Sequence, residues 1–169
     1  GRIMDAIDSL GIADNTIIIL TSDNGPVVDD GYIDQAEELL GNHRPWGMFH
    51  PKGGKYSAFE AGTRVPMIVR SGKNVRGAGR PGSVSDALFS QIDFLASFAE
   101  LLGVQVPDDA AWDSQPAISR LLGTDSTSRP WIIEHNLANN LGIVVGDWKY
   151  IAPGRGQAYA PWTNTELGN

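Results

Sequence analysis

Apolar and polar positions along this chain fall into short blocks, and the period of each block names the element it forms. Ile3, Ile7 and Leu10 recur at helical spacing, and Gly11 stands where a left-handed residue closes a helix. Asp14-Asn15 turns the chain into Ile17–Leu20, consecutive apolar residues that predict a fully buried strand. That strand stops abruptly at Thr21-Ser22-Asp23-Asn24-Gly25-Pro26, which is turn chemistry. A helix feeding a buried strand that ends in a polar loop is the pattern of an open α/β sheet, whose ligands gather at the carboxyl ends of its strands.

From Pro26 to about Gly54 the pattern is polar and irregular, with a short helix expected over Ile33–Leu40 and closed by Gly41. Gly41–Lys55 is dense in Gly and Pro and is long for a plain connection, which marks it as functional or disordered. Trp46, Phe49, His43 and His50 within it argue against disorder. Val65–Val69 predicts a second buried strand, with Pro66 near its start where a lost N–H is tolerated. Ser71–Gly82 reads as a surface loop.

Ser83-x-x-Asp86 matches a capping box and predicts a helix running to Leu102, closed by Gly103. Its stripe of Leu88, Ile92, Leu95, Ala99 and Leu102 is widened by Phe89, Phe94 and Phe98, so the helix is expected to be largely buried. Asp93 lies inside that helix and must be paired or hydrogen-bonded; it reads as structural. Pro107–Gln115 is a loop, and Ile118–Leu122 a helical turn ended by Gly123. Thr124–Arg129 lacks periodicity and is the expected boundary between a first part, 1–124, and a second, 125–169. In the second part, Trp131–Glu134 and Gly142–Ile151 predict an antiparallel pair around Asn139-Asn140.

Composition narrows the classes. With 169 residues, 41% hydrophobic and 20% charged, the chain can bury a sizeable core. A net charge of −7 argues against a nucleic-acid backbone or an anionic membrane as partner, since both need a basic stripe. An acidic chain can still hold a small anion locally. The absence of cysteine excludes disulfides, thiolate metal sites and a Cys nucleophile within this chain. No apolar run approaches the ~20 residues of a membrane helix, and no signal peptide is visible. The chain starts at Gly1, with its first Met at position 4, and reads as a piece of something longer.

Asp23 and Asn24 offer a carboxylate and an amide carbonyl, hard oxygen ligands that suit Ca²⁺ or Mg²⁺ better than zinc. By themselves they read more readily as an ordinary turn. Lys55, in an isolated Gly-Gly-Lys, reads by itself as a solvated surface lysine.

The order of features is more specific than any one of them. TSDNGP, a loop, KGGKYSAFEAGTRVPMIV, the SQIDFLASFAELLG helix and then GDWKYI together resemble the C-terminal half of a type I, formylglycine-dependent sulfatase of the alkaline-phosphatase superfamily. The resemblance covers roughly Ile3 to Ile151. It implies an α/β fold, the C-terminal portion of a three-layer sulfatase core followed by a small antiparallel sheet. It assigns Asp23 and Asn24 to a divalent cation, usually Ca²⁺ with Mg²⁺ the alternative, and Lys55 to the sulfate as a catalytic contact. It places His43, Arg44 and Trp46 in the loop that lines the substrate subsite, where an ordinary surface loop is the competing reading. His50 and Lys52 receive no clear role. Glu60 and Arg64 look like a fixed pair behind the strand, and Glu134-His135 opens the C-terminal sheet.

The resemblance also defines what the chain lacks. The formylglycine nucleophile arises within a C/S-x-P-x-R motif, and no such motif occurs here; Ser128-Arg129-Pro130 has the wrong order. The expectation is therefore a fragment, inactive by itself, of an enzyme that hydrolyses a sulfated small molecule or glycan in the periplasm or outside the cell. Part of a phosphoester or phosphonate hydrolase of the same superfamily is one alternative, although Asn24 and Lys55 speak against it. A separate, non-catalytic module that binds anions or a partner is the other. A half-domain is also expected to expose apolar surface and to self-associate.

Overall fold

The computed structural model describes residues 1–25, 55–127, 129–136 and 140–153. The chain forms two compact units, the first made of Gly1–Leu20 and Ile68–Pro130, the second of Thr21–Met67 and Trp131–Asn169. The helix expected over Ile33–Leu40 and the loop Gly41–Gly54 lie outside the described residues.

The first unit opens with helix α1, Arg2–Ser9, which ends as expected before Gly11 at φ +69°. A short 3-10 turn, Ala13–Asn15, leads into strand β1, Ile17–Thr21. β1 pairs with β2, Met67–Ser71, in a two-stranded sheet. β2 begins later than the pattern predicts, because Pro66 lacks the N–H that a ladder needs. Neither strand is fully buried: Leu20 and Ile68 are 61% and 60% exposed. Arg70 of β2 reaches Asp8 of α1 at 3.0 Å and ties that helix to the sheet.

The long helix starts later than expected. Residues 83–90 are not helical; the chain enters through a 3-10 turn, Gln91–Asp93, into α3, Phe94–Leu102. The working capping box is Ser90…Asp93, and Gly103 closes the helix at φ +67°. The S-x-x-D pattern occurs twice, and only the second copy adjoins uninterrupted helical sequence. α3 is also less buried than its stripe predicts. Its buried positions are the small Ala96 and Ser97, whereas Ile92, Leu95 and Leu102 are exposed. α4, Ile118–Leu121, is the expected helical turn.

A buried polar network joins α3 to the loop before α4. Asp93 is fully buried, and its Oδ1 accepts from Arg129 Nη1 and from the Gln115 backbone N–H at 2.8 Å. Arg129 Nη2 donates to the Asp113 carbonyl at 2.8 Å. Ser97 Oγ donates to the Asp93 carbonyl at 2.6 Å and accepts from Ala117 N–H at 3.1 Å. The buried carboxylate thus has the partners its position demands, and its reading as structural stands.

The second unit contains helix α2, Glu60–Thr63, and a three-stranded antiparallel sheet ordered β3-β4-β5: Ile132–His135, Leu141–Val145 and Trp148–Ile151. The run read as one strand, Gly142–Ile151, is two. It breaks at Gly146-Asp147, which joins the paired residues Val145 and Trp148 as a two-residue hairpin turn. Gly146 has φ +54°, a conformation the tightest hairpin turns require and glycine supplies without steric cost. Ile133, Ile143 and Tyr150 stand opposite one another across the sheet, as do Ile132, Val144 and Lys149. Among the described residues no helix is long and apolar enough to cross a membrane.

Candidate functional site

β1 ends at Thr21, and the backbone turns at once through Ser22-Asp23-Asn24-Gly25. The turn is held from within: Ser22 Oγ donates to the Asn24 carbonyl at 2.9 Å, and Asn24 Nδ2 donates to the Gly25 carbonyl at 2.8 Å. It is anchored to α2, because Gly25 N–H donates to the Gly62 carbonyl at 3.0 Å. No other residue fits at that contact, since a Cβ on Gly25 would lie 1.6 Å from the Ala61 carbonyl oxygen. The sequence marks Gly25 as turn chemistry but not as a packing contact with a helix far along the chain.

This arrangement sets the chemistry of the pair. Asn24 commits its amide nitrogen to the backbone, which leaves its carbonyl oxygen as the donor atom for a cation. Asp23 is exposed, and its carboxylate has no hydrogen-bond or ion-pair partner among the described residues. Two hard oxygen donors fit Ca²⁺ or Mg²⁺, but they fill only part of a sphere of about six to eight oxygens. Among the described residues no group of three or more His, Asp or Glu gathers to hold a metal.

Lys55 is half-buried, a few residues ahead of α2. Its Nζ lies 5.0 Å from the centroid of the Tyr56 ring, a cation–π distance. Tyr56 has φ +78°, an uncommon, strained conformation for a non-glycine residue of the kind that collects at functional sites. Ser57, directly beyond, is buried and accepts from Phe59 N–H at 3.1 Å. The segment Lys55–Ser57 is thus folded onto the start of α2. His43, Arg44 and Trp46, with His50 and Lys52, lie outside the described residues.

Glu60 and Arg64 do meet, at 3.7 Å. Sequence reasoning missed the stronger partner, Lys149, whose Nζ lies 3.1 Å from Glu60 Oε1 and 2.6 Å from Glu134 Oε2. Glu134 is therefore engaged by Lys149, and His135 is exposed with Nδ1 3.2 Å from the Asn136 carbonyl. A shallow concavity in the first unit, lined by Val84, Ser85, Asp86, Gly123, Thr124 and Asp125, contains none of the sequence-predicted site residues.

The carboxyl end of a partly buried strand thus presents an Asp-Asn pair, and a half-buried lysine stands ahead of the short helix on which that turn lies. The sequence model of the Sulfatase family matches residues 1–104, and the chain belongs to that family. It is 54% identical over 169 residues to an N-acetylgalactosamine-6-O-sulfatase of Bacteroides thetaiotaomicron, covering all of this chain and 32% of that protein. It is 31% identical over 135 residues to the steryl-sulfatase of Mus musculus, covering 80% of this chain and 20% of the relative. A solved structure from the Bacteroides thetaiotaomicron metabolism of multiple glycosaminoglycans superposes with a TM-score of 0.85 at 55% identity, over 100% of this chain and 34% of the other. A sulfatase crystal structure from Pseudoalteromonas sp. gives 0.67 at 25% identity, over 88% and 27%. The chain thus spans about a third or less of the length of these relatives. Its fold is an α/β portion of the sulfatase core followed by a small antiparallel sheet, and its homologues are sulfuric ester hydrolases.

Proposed function

We propose that the protein containing this chain hydrolyses sulfate esters of a carbohydrate, and that this chain supplies part of its cation site and one sulfate contact. The observation that carries the reading is 54% identity, over the whole chain, to an N-acetylgalactosamine-6-O-sulfatase. A similar name attaches to a second Bacteroides relative, an N-acetylglucosamine-6-O-sulfatase 29% identical over 160 residues. A 6-O-sulfated N-acetylhexosamine is therefore the first substrate to test. By resemblance, the reaction would take place in the periplasm or outside the cell.

Asp23 and Asn24 would hold a divalent cation, Ca²⁺ for preference and Mg²⁺ as the alternative, through a carboxylate and an amide oxygen. When bound, the cation supplies positive charge that polarises the sulfate ester. Lys55 would bring its ammonium to the sulfuryl oxygens and to the departing ester oxygen, where negative charge grows in the transition state. Its partial burial and its place at the Tyr56 ring support that role, because a charge contact gains strength where water is thinned out. His43, Arg44 and Trp46 are proposed on sequence alone as substrate-subsite residues, with Trp46 stacking on a sugar ring. The resemblance assigns the nucleophile to a formylglycine from a C/S-x-P-x-R motif that this chain does not contain, so residues 1–169 alone are expected to be inactive.

The test is sulfate release from a 6-O-sulfated N-acetylhexosamine by the full-length protein, wild type against Lys55→Ala and Asn24→Ala. Loss of a transition-state charge contact or of a metal ligand lowers kcat/KM by roughly 100-fold or more. Wild-type turnover in both variants would overturn the assignments, and no sulfate release by the wild type from any sulfated sugar would overturn the reaction.

A further inference from the structure

Lys149 stands on β5 with its side chain only 13% exposed, an unusual place for a lysine. Its ammonium has three N–H donors, and three partners surround it. Glu60 Oε1 lies at 3.1 Å, Thr63 Oγ1 at 2.8 Å and Glu134 Oε2 at 2.6 Å. The charges alternate, because the other oxygen of Glu60 faces Arg64 at 3.7 Å. Glu60 and Thr63 are the first and last residues of α2, so one lysine grips both ends of that helix.

α2 is a single turn, and a single turn has no stability of its own in water. Its position is set by what holds it. The backbone of its middle residues, Ala61 and Gly62, is the surface on which Gly25 lies. The helix gripped by Lys149 is therefore the platform of the Asp23-Asn24-Gly25 turn. β5 reaches this platform from far along the chain, and every contact in the sequence of β5, α2 and turn lies within one compact unit.

We propose that Lys149 is a positioning residue: it fixes α2, and through α2 it sets the placement of the Asp23-Asn24 pair for its cation. The inference rests on the cation assignment made under the proposed function. Outer contacts that orient metal ligands are worth about 10–100-fold in metal affinity. A lysine serving only to stabilise the fold would change the melting temperature and leave that affinity alone.

The test uses the full-length protein. Lys149→Met keeps the stem and removes the charge; Thr63→Val keeps shape and every charge while removing the hydroxyl that accepts from Lys149 and donates weakly to the Phe59 carbonyl at 3.4 Å. Ca²⁺ affinity is measured by calorimetry, alongside the melting temperature in chelator and the Ca²⁺ dependence of sulfate release. The Ca²⁺ Kd is expected to rise about 10-fold or more in Lys149→Met and roughly 3-fold in Thr63→Val, with kcat at saturating Ca²⁺ within about twofold of wild type, as for a loss confined to binding. If Lys149→Met does not fold, Thr63→Val alone decides. Asp23→Ala is the control. Lost Ca²⁺ binding there with an unchanged Kd in the folded Lys149 and Thr63 variants overturns the positioning role alone. Unchanged binding in Asp23→Ala overturns the cation assignment and the positioning role with it.

Discussion

At Gly25 the difference between a hydrogen and a methyl group decides whether the Asp23-Asn24 turn can lie on α2. A Cβ there would fall 1.6 Å from the Ala61 carbonyl oxygen and 2.9 Å from Gly62 Cα, both backbone atoms that cannot rotate away. Gly25→Ala is expected to destabilise by about 3 kcal/mol, as forced overpacking does, read from the denaturant midpoint. A second residue-scale effect is electrostatic. The Asp125 carboxylate is held below its ordinary value of 3.8 by hydrogen bonds from the Thr127 hydroxyl and backbone N–H, at 2.6 and 2.8 Å, with help from Arg120. A depressed carboxylate contributes stability above the unfolded value, and that contribution is lost as pH falls through the folded one. Thr127→Val should therefore raise the Asp125 titration midpoint in a carboxylate NMR titration; an unmoved midpoint would contradict the assigned cause. Single residues were unevenly legible. Asp93 announced itself as a buried carboxylate in need of a partner. That partner, Arg129, is 36 residues away in a stretch that looks like a linker, and no local pattern connects the two.

At the scale of elements, the period of apolar residues located helices and strands well and their ends less well. The start of α3 turns on two copies of the same capping pattern. Ser90, the working cap, should cost about 1 kcal/mol when changed to Ala. Ser83→Ala should stay within about 0.5 kcal/mol, as for an ordinary surface change. Equal effects in thermal melts would contradict the assignment. The Asp93–Arg129 pair ties α3 to the loop before α4 and is buried on both sides. Arg129→Met leaves an unpaired carboxylate in the interior and should cost about 3–5 kcal/mol. The hairpin at Gly146-Asp147 was legible in principle: a Gly-Asp pair flanked by apolar residues is a turn signal. It was obscured because the strands on either side continue the same apolar run. The apolar stripe of α3 misled in the opposite direction, since periodicity reports which face is apolar but not whether anything in this chain covers it.

At the scale of the molecule, the order of motifs along the sequence pointed to the family before any geometry, and the match over residues 1–104 agrees. What sequence could not supply was the way distant segments meet, above all Lys149 on α2, because a lysine in a strand looks the same whether it faces water or two carboxylates. The exposed apolar surface has a consequence of its own. Ile68, Leu95 and Leu102 are exposed, and Trp148 is 83% accessible. The 169-residue chain alone is expected to self-associate. Size-exclusion chromatography with light scattering would show it as species above 18.2 kDa; a clean monomer at all concentrations would contradict it.

The turn after β1 is proposed as a cation site of a sulfatase. Its most direct test is sulfate release from a 6-O-sulfated N-acetylhexosamine by the full-length protein, titrated with Ca²⁺ after chelation, for wild type and Asp23→Ala. Ca²⁺-restored turnover is expected in the wild type, with a kcat/KM lower by roughly 100-fold or more in Asp23→Ala. Equal turnover and equal Ca²⁺ dependence in the two proteins would return Asp23 to an ordinary turn.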